Sequence, residues 1–410
     1  MTLTVFSPIT LPNGSTISNR LAKAAMEENM ASPGQLPGED IWRLYKAWSN
    51  GGAGLLITGN VMVDRRAMTG PGGIALEADT PLEPFNQWAS AGTQNGTQLW
   101  MQINHPGRQV YAAMGGQVLS PSDIPLDMGK HSKLFGQPSP MTEADINALI
   151  ERFASTARRA AEAGFNGVQI HAAHGYLLSQ FLSPLSNKRD DQWGGSLENR
   201  ARLLMEIVKA VKAAVPSNIA VAVKLNSADF QRGGFDADDA LAVVKMLGEY
   251  NIDLVEVSGG SYESPAMQGN TADGRTLERE AYFLEFAKDI AKQASMPVMT
   301  TGGIVRRAVA QKVIDEGVDM VGMGRALAFC PDLPNQWKTN SEASASLPTV
   351  SWKDKTLSAL AMMAIAKRQL QRMGKGKSPK ANLSPAFSLI ADQLRSKKLT
   401  KLYKKHMHTG

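Results

Sequence analysis

The sequence predicts an α/β fold, a (β/α)8 TIM barrel with an N-terminal β-hairpin and a C-terminal basic helical extension. Three observations lead there. Strand and helix signals alternate eight times between Arg20 and Arg325. The stretch Gly167–Arg202 places two imidazoles and a phenol just after a short apolar run. Glycine pairs follow each of the last two predicted strands. Alternation of this kind implies a parallel sheet. A count of eight favours closure over an open doubly wound sheet, and a closed parallel barrel keeps its chemistry at the C-terminal ends of its strands.

In order, Phe6–Arg20 contains the turn Pro12-Asn13-Gly14 between two short extended pieces, which predicts a hairpin. Arg20–Met26 reads as the first strand and Glu39–Asn50 as a helix. Gly54–Val63 and Thr97–Asn104 are the next strands, with a helix over Pro84–Gln94 between them. Pro106–Pro140 is rich in Gly, Pro and Ser, and a loop that long is either a lid or a misassigned element. Thr142-Glu143-Ala144-Asp145 fits a capping box ahead of Ile146, Leu149, Ile150 and Phe153 at helical spacing. Val168–Ile170 is the fourth strand, and Ser196 caps the helix that follows, Glu198–Val215. Four further strands follow at Ile219–Leu225, Leu254–Ser258, Pro297–Thr301 and Met320–Gly324. The helices between them are read at Asp236–Tyr250, Glu278–Ala294 and Arg306–Glu316.

The formal charge of +6 is unevenly placed. Residues 352–410 hold 14 Lys and Arg against Asp354 and Asp392, a local +12, while the rest of the chain, 30 basic and 36 acidic, stands at −6. A uniformly basic nucleic-acid surface is therefore not indicated. The basic residues surround a break at Gly374–Pro379, and a second helical piece runs over Pro385–Leu394. They read as helices packed on the barrel wall with a solvated basic face, in preference to an arm for a partner or an acidic membrane. No apolar stretch is long enough for a bilayer, and the N-terminus lacks a secretory pattern, so a cytoplasmic protein is expected. The single cysteine, Cys330, excludes an internal disulfide and a cysteine-ligated cluster.

His171 and His174 have His-x-x-His spacing, but no third metal ligand is evident nearby, so no metal is expected. Two neutral imidazoles beside Tyr176 are better suited to hydrogen-bonding a substrate carbonyl while the phenol delivers a proton. From the pattern alone, a satisfied core histidine explains His171 equally well. Thr301-Gly302-Gly303 and Gly322-Met323-Gly324-Arg325 lie where α/β barrels bind phosphate, after the seventh and eighth strands. Open backbone there suits an anion, which points to a phosphorylated cofactor.

The motif HAAHGYLLSQFLSPLSNKRDDQWGGSLENR resembles that of the Old Yellow Enzyme family of FMN-dependent NAD(P)H oxidoreductases. NRLAKAAM, GGAGLLITGNV, MQINHPGR, VKLNSADF and GMGRAL support the likeness over about residues 5 to 335. This divides the chain into an FMN-binding barrel, 1–335, and an extension, 336–410. The resemblance implies FMN, with NADPH or NADH as hydride donor. Ala24, Ala25, Met26 and the backbone of Glu27 would run along the flavin, with Asn60 and Gln102 at its pyrimidine edge. Lys224 would stand beside N1, where many members have Arg, and a cation there stabilises reduced flavin. Gly302, Gly303, Gly324 and Arg325 would hold the phosphate. His171 and His174 would grip the carbonyl of an α,β-unsaturated or nitro compound, and Tyr176 would donate the proton, in ping-pong turnover.

Two positions depart from the family pattern. Glu27 replaces the usual Thr or Cys, and its carboxylate would either lower the flavin potential or turn away into a polar contact. Lys224 replaces a planar fork with a point charge. The missing cysteines make the chain similar to the compact single-barrel form. Alternatives are an FMN-dependent dehydrogenase or demethylating amine oxidoreductase, and a flavin-binding interaction protein without turnover. The expected partner is a small-molecule substrate, with no nucleic acid or membrane, and a homodimer is open to the family.

Overall fold

The computed structural model describes residues 3–268 and 280–407. Eight parallel strands close on themselves: Leu21–Lys23, Leu55–Ile57, Gln98–Asn104, Gly167–Ala172, Ala220–Asn226, Leu254–Ser258, Val298–Thr301 and Met320–Met323. Each pairs with its neighbours in sequence order, and the eighth returns to the first. The barrel is closed, as alternation and count predict.

Side chains alternate along each strand, so one set faces inward. The lower interior is apolar: Ala22, Leu55, Ile57, Trp100, Ala222, Leu254, Met299 and Met320 pack as one cluster. Ile9, Leu11 and Ile17 belong to the same cluster, so the antiparallel hairpin Ile9–Thr10/Thr16–Ile17 plugs the bottom. Two residues further along the strands the inward positions turn polar, at Gln102, Lys224 and Glu256. Pairing of Gln169 with Gln102 adds the fourth strand to that level.

The helices α1 (Glu39–Ser49), α2 (Glu83–Gly92), α3 (Glu143–Glu162), a short α4 (Leu177–Leu182), α5 (Leu197–Ala214), α6 (Ala237–Gly248), α7 (Leu284–Ala291) and α8 (Arg307–Asp315) follow the strands in turn. The caps predicted at Thr142 and Ser196 are in place, and Asp236, read as a helix start, is a third. Thr142 and Asp145 form a reciprocal capping box, and the side chains of Ser196 and Asp236 accept N–H bonds from the first turns of α5 and α6. Short α9 (Arg325–Phe329) and α10 (Leu333–Thr339) end the barrel.

Four expectations need correction. Gly54–Val63 is not one strand: it breaks into Leu55–Ile57 and Val61–Met62, because the main chain at Gly59 turns to donate to Glu28 and Tyr45. The helix expected from Glu278 begins only at Leu284; Glu278 and Arg279 lie outside the described residues. The 106–140 loop contains a parallel bridge, Leu119–Ser120 with Ser139–Pro140, and two 3-10 turns. The second tail helix runs to Met407 and not to Leu394.

In the tail, α11 (Lys355–Gly374) and α12 (Pro385–Met407) pack together and onto the barrel wall beside α1. Ile365, Leu370 and Met373 are buried, Arg395 donates to the Asn29 carbonyl at 3.2 Å, and Tyr403 donates to the Arg65 carbonyl at 2.9 Å. The outward stripe of α12 is apolar at Phe387, Ile390 and Leu394, then basic at Lys397, Lys398 and Lys401. Among the described residues no helix is long and apolar enough to cross a membrane.

Because the extension is joined to the barrel by buried side chains, Leu370→Ala should lower stability by about 2–5 kcal/mol. Urea unfolding should keep a single transition. A separate early transition would show that the extension unfolds alone.

Candidate active site

The site is assembled where the inward polar positions reach the top of the barrel. Lys224 and Glu256, paired on adjacent strands, form a buried ion pair with Nζ–Oε1 at 2.8 Å. Gln169 donates to the other carboxylate oxygen at 2.8 Å, and Gln102 donates to Gln169 at 2.8 Å. Four consecutive strands are thereby joined by one hydrogen-bonded layer. The arrangement supplies the buried carboxylate with donors at both oxygens, as its low-dielectric setting requires.

Above this layer stand His171, Asn226 and Ser258. His171 is the penultimate residue of the fourth strand, in register with Lys224. Its Nδ1 accepts the Ala173 N–H at 3.2 Å. His174 has φ +62°, the left-handed region, which is unusual for a residue other than glycine. Its N–H donates to Asn226 Oδ1 at 3.0 Å and its carbonyl accepts from Gln109 at 3.1 Å, so the strained residue is clamped on both sides. Its Nε2 lies 2.7 Å from Ser258 Oγ.

The two imidazole rings meet edge to face at 5.1 Å, and His171 meets the Tyr176 ring at 4.9 Å. Burial, with the Lys224 charge adding to it, pushes both imidazoles well below the usual histidine range. They are neutral at pH 7. Burial, reinforced by the Glu27 charge, pushes the Tyr176 phenol well above its ordinary value, so it holds its proton. Its hydroxyl lies 3.1 Å from that of Tyr262, a residue of the loop after the sixth strand.

The segment after the first strand forms another wall. The Lys23 ammonium is buried over the rings of Tyr45 and Trp48 and donates to the Ile57 carbonyl at 2.6 Å. Tyr45 donates to Glu28, and Glu28 accepts the Gly59 N–H at 3.0 Å. This cluster fixes Glu27 and Asn60 opposite each other, Asn60 Nδ2 donating to Glu27 Oε1 at 3.3 Å. Ala24, Ala25 and Met26 run beside the eighth strand: the Ala24 N–H bonds the Met323 carbonyl at 3.0 Å, and an added Cβ at Gly324 would meet Met26 at 3.7 Å. A cavity opens between Glu27, Asn29, Asn60 and Thr69, with Gly72, Gly73 and Trp88 on its other walls.

After the seventh strand, Gly302 and Gly303 have φ +126° and +71°. A Cβ at Gly303 would come within 2.4 Å of the Tyr282 hydroxyl, so only glycine fits. The half-buried Arg325 donates to the same hydroxyl at 3.4 Å. Over the mouth, the 106–140 loop is tied down by Arg108, which donates to the carbonyls of Ile124 and Pro125 and pairs with Glu263 at 2.8 Å.

All the residues singled out in the sequence thus fall around the C-terminal rim or just beneath it. Sequence reasoning missed Gln169, Glu256, Ser258, Asn226, Tyr262 and Tyr282. The spacings Gln169-x-His171, Lys224-x-Asn226 and Glu256-x-Ser258 carried a signal, since polar residues at every second strand position share a face. Tyr262 and Tyr282 lie in loops and carried none. Among the described residues no group of three His, Cys, Asp or Glu side chains could hold a metal.

Residues 4–343 match the NADH:flavin oxidoreductase / NADH oxidase family. The chain belongs to that family. This flavin oxidoreductase is 38% identical over 367 residues to an NADH-dependent flavin oxidoreductase of Hypocrea jecorina (strain QM6a), covering 84% of this chain and 91% of that one. It is 36% identical over 377 residues to an NADH-dependent flavin oxidoreductase of Neonectria sp. (strain DH2), covering 86% of this chain but only 49% of that protein. Its fold matches the old yellow enzyme homologue of Zymomonas mobilis with a TM-score of 0.70 at 24% identity, over 83% of this chain and 94% of that one. Membership makes the protein an oxidoreductase that works with FMN and a nicotinamide hydride donor.

Two outcomes follow from the electrostatics. Lys224→Met leaves Glu256 buried and unpaired and should cost about 3–5 kcal/mol in chemical denaturation, much of which the double variant with Glu256→Gln should recover. Buried neutral histidines make acid destabilising. Burial lowers His105 to about 4, so between the unfolded value near 6.5 and about 4 the unfolded chain binds the extra proton. Stability should be full above pH 6.5 and fall as the pH drops towards 4. His105→Gln should flatten that slope in urea titrations.

Proposed function

We propose that the protein is an ene-reductase, reducing the activated C=C bond of an α,β-unsaturated carbonyl or nitro compound. The observation that carries the reading is neutral His171 packed against both neutral His174 and the protonated Tyr176 phenol at the mouth of a flavin-family barrel.

The residues present fit FMN. Gly302, Gly303 and Gly324, with the Arg325 cation beside them, suit a phosphate. Ala24, Ala25, Met26 and the main chain of Glu27 would line the ring. Asn60 and Gln102 would meet its polar edge. Gln102 commits its Nε2 to Gln169, so the group it offers a ring N–H is its carbonyl oxygen. Lys224, its charge balanced by Glu256, keeps two N–H donors beyond the one given to that carboxylate and would offer them to the N1 side of the ring. When bound, FMN supplies a ring that accepts hydride from NADH or NADPH and passes it to the acceptor.

The rest is done by side chains. With Nδ1 engaged by the Ala173 N–H, neutral His171 carries its proton on Nε2. In the tautomer where Ser258 donates to Nε2, His174 carries its proton on Nδ1. Both protons are then offered to one carbonyl oxygen, which draws electron density from the β-carbon. Tyr176 donates its proton to the α-carbon, and the Tyr262 hydroxyl is in place to hydrogen-bond the phenolate left behind.

Tyr176→Phe should slow reduction of 2-cyclohexen-1-one by about 10²–10⁴-fold. Stopped-flow bleaching of the flavin by NADH should be nearly unaffected. Equal loss in both half-reactions would remove Tyr176 from the proton-donor role.

A further inference from the structure

Glu27 is a carboxylate at a position where the family carries Thr or Cys, and its surroundings do not neutralise it. It is half-buried, and among the described residues its oxygens accept from the neutral amides of Asn29 and Asn60, each at 3.3 Å. Among the described residues no Lys, Arg or His nitrogen pairs with it. Hydrogen bonds from amides satisfy lone pairs and leave the charge intact, and partial burial strengthens that charge relative to water.

An aromatic wall continues from the same point. Asn60 also lies close to the Tyr176 hydroxyl, and Tyr176 meets Tyr262 hydroxyl to hydroxyl at 3.1 Å and ring to ring at 6.0 Å. The Tyr262 ring lies 6.1 Å from Phe135, which stacks on Tyr111 at 5.0 Å. Burial, with the Glu27 charge adding to it, raises the Tyr176 and Tyr262 phenols and keeps them neutral, while Tyr111 stands at the exposed rim. Neutral aromatic faces beside an uncompensated carboxylate form a place that favours a cation and repels an anion.

We propose that the mouth of this barrel selects acceptors that carry a cationic nitrogen, an ammonium or iminium group, held between the Glu27 carboxylate and the rings of Tyr176, Tyr262 and Tyr111. The proposal rests on the site assigned above but not on which bond is reduced there. The same charge disfavours acceptors bearing a carboxylate or phosphate near the reacting end.

The test uses two ligands of equal shape, (3-hydroxyphenyl)trimethylammonium and 3-tert-butylphenol, titrated calorimetrically into the FMN-loaded protein at pH 7 and about 0.1 M salt. The wild type should bind the cation on the order of tenfold more tightly. Glu27→Gln and Glu27→Thr should each bring the ratio close to one, and a ratio of affinities does not depend on how much of either variant folds. Equal or weaker binding of the cation by the wild type overturns the proposal. So does a preference that survives both substitutions, or failure of both ligands to bind. Reduction of neutral 2-cyclohexen-1-one, assayed in parallel, judges the ene-reductase reading separately. Loss of that activity with the cation preference intact would remove the reaction and leave the binding site.

Discussion

The buried Lys224–Glu256 pair, extended through Gln169 to Gln102, is the interaction on which the site depends. A charge pair in a barrel interior loses hydration that Coulomb attraction alone does not always return. Here the remaining carboxylate oxygen is satisfied by an amide from the next strand, and that amide by another. The layer therefore locks the relative heights of strands three to six. Everything above it, His171 on the fourth strand, Asn226 on the fifth and Ser258 on the sixth, inherits that registration. The positive end of the pair also helps keep the imidazoles neutral, which suits them to donate without carrying charge.

A second constraint acts from outside the barrel. Lys23 points away from the interior, into the space between strand and α1, where the rings of Tyr45 and Trp48 cover it. Burial lowers its ammonium to about 8. Through Tyr45 and Glu28 this cluster reaches the main chain at Gly59, and so ties the segment after the first strand to the segment after the second. The tail adds to the same corner, since Arg395 caps the Asn29 carbonyl and Gly374 packs against Met30 and Asp40. The wall that carries Glu27 is therefore held by the barrel, α1 and the tail together.

Legibility from sequence followed the range of the interactions involved. Helix starts at Thr142, Ser196 and Asp236 were readable because a cap satisfies N–H groups two or three residues away. The strand bearing His171 was readable from its apolar run and the glycine-rich turns from composition. The break at Gly59 was not, because its cause, Glu28, lies 31 positions away. Nor was the partner of Lys224, since Glu256 is brought to it only by strand pairing. Tyr262 reaches Tyr176 from a loop 86 positions on, and nothing local marks it. For Glu27 the sequence left two outcomes open, potential tuning or a polar contact. The structure supplies the polar contact, through Asn29 and Asn60, while keeping the charge beside the phenols.

By itself, then, the sequence determined the barrel, the N-terminal hairpin, the basic extension and the family, because each is written in periodicity, turn chemistry, composition or a long contiguous motif. Tertiary structure alone decided which charges are neutralised and which are not: among the described residues Lys224 finds a carboxylate, and Glu27 finds amides. Charge compensation acts across strands and loops far apart in the chain, and spacing in a linear sequence carries no record of which side chains closure will bring together.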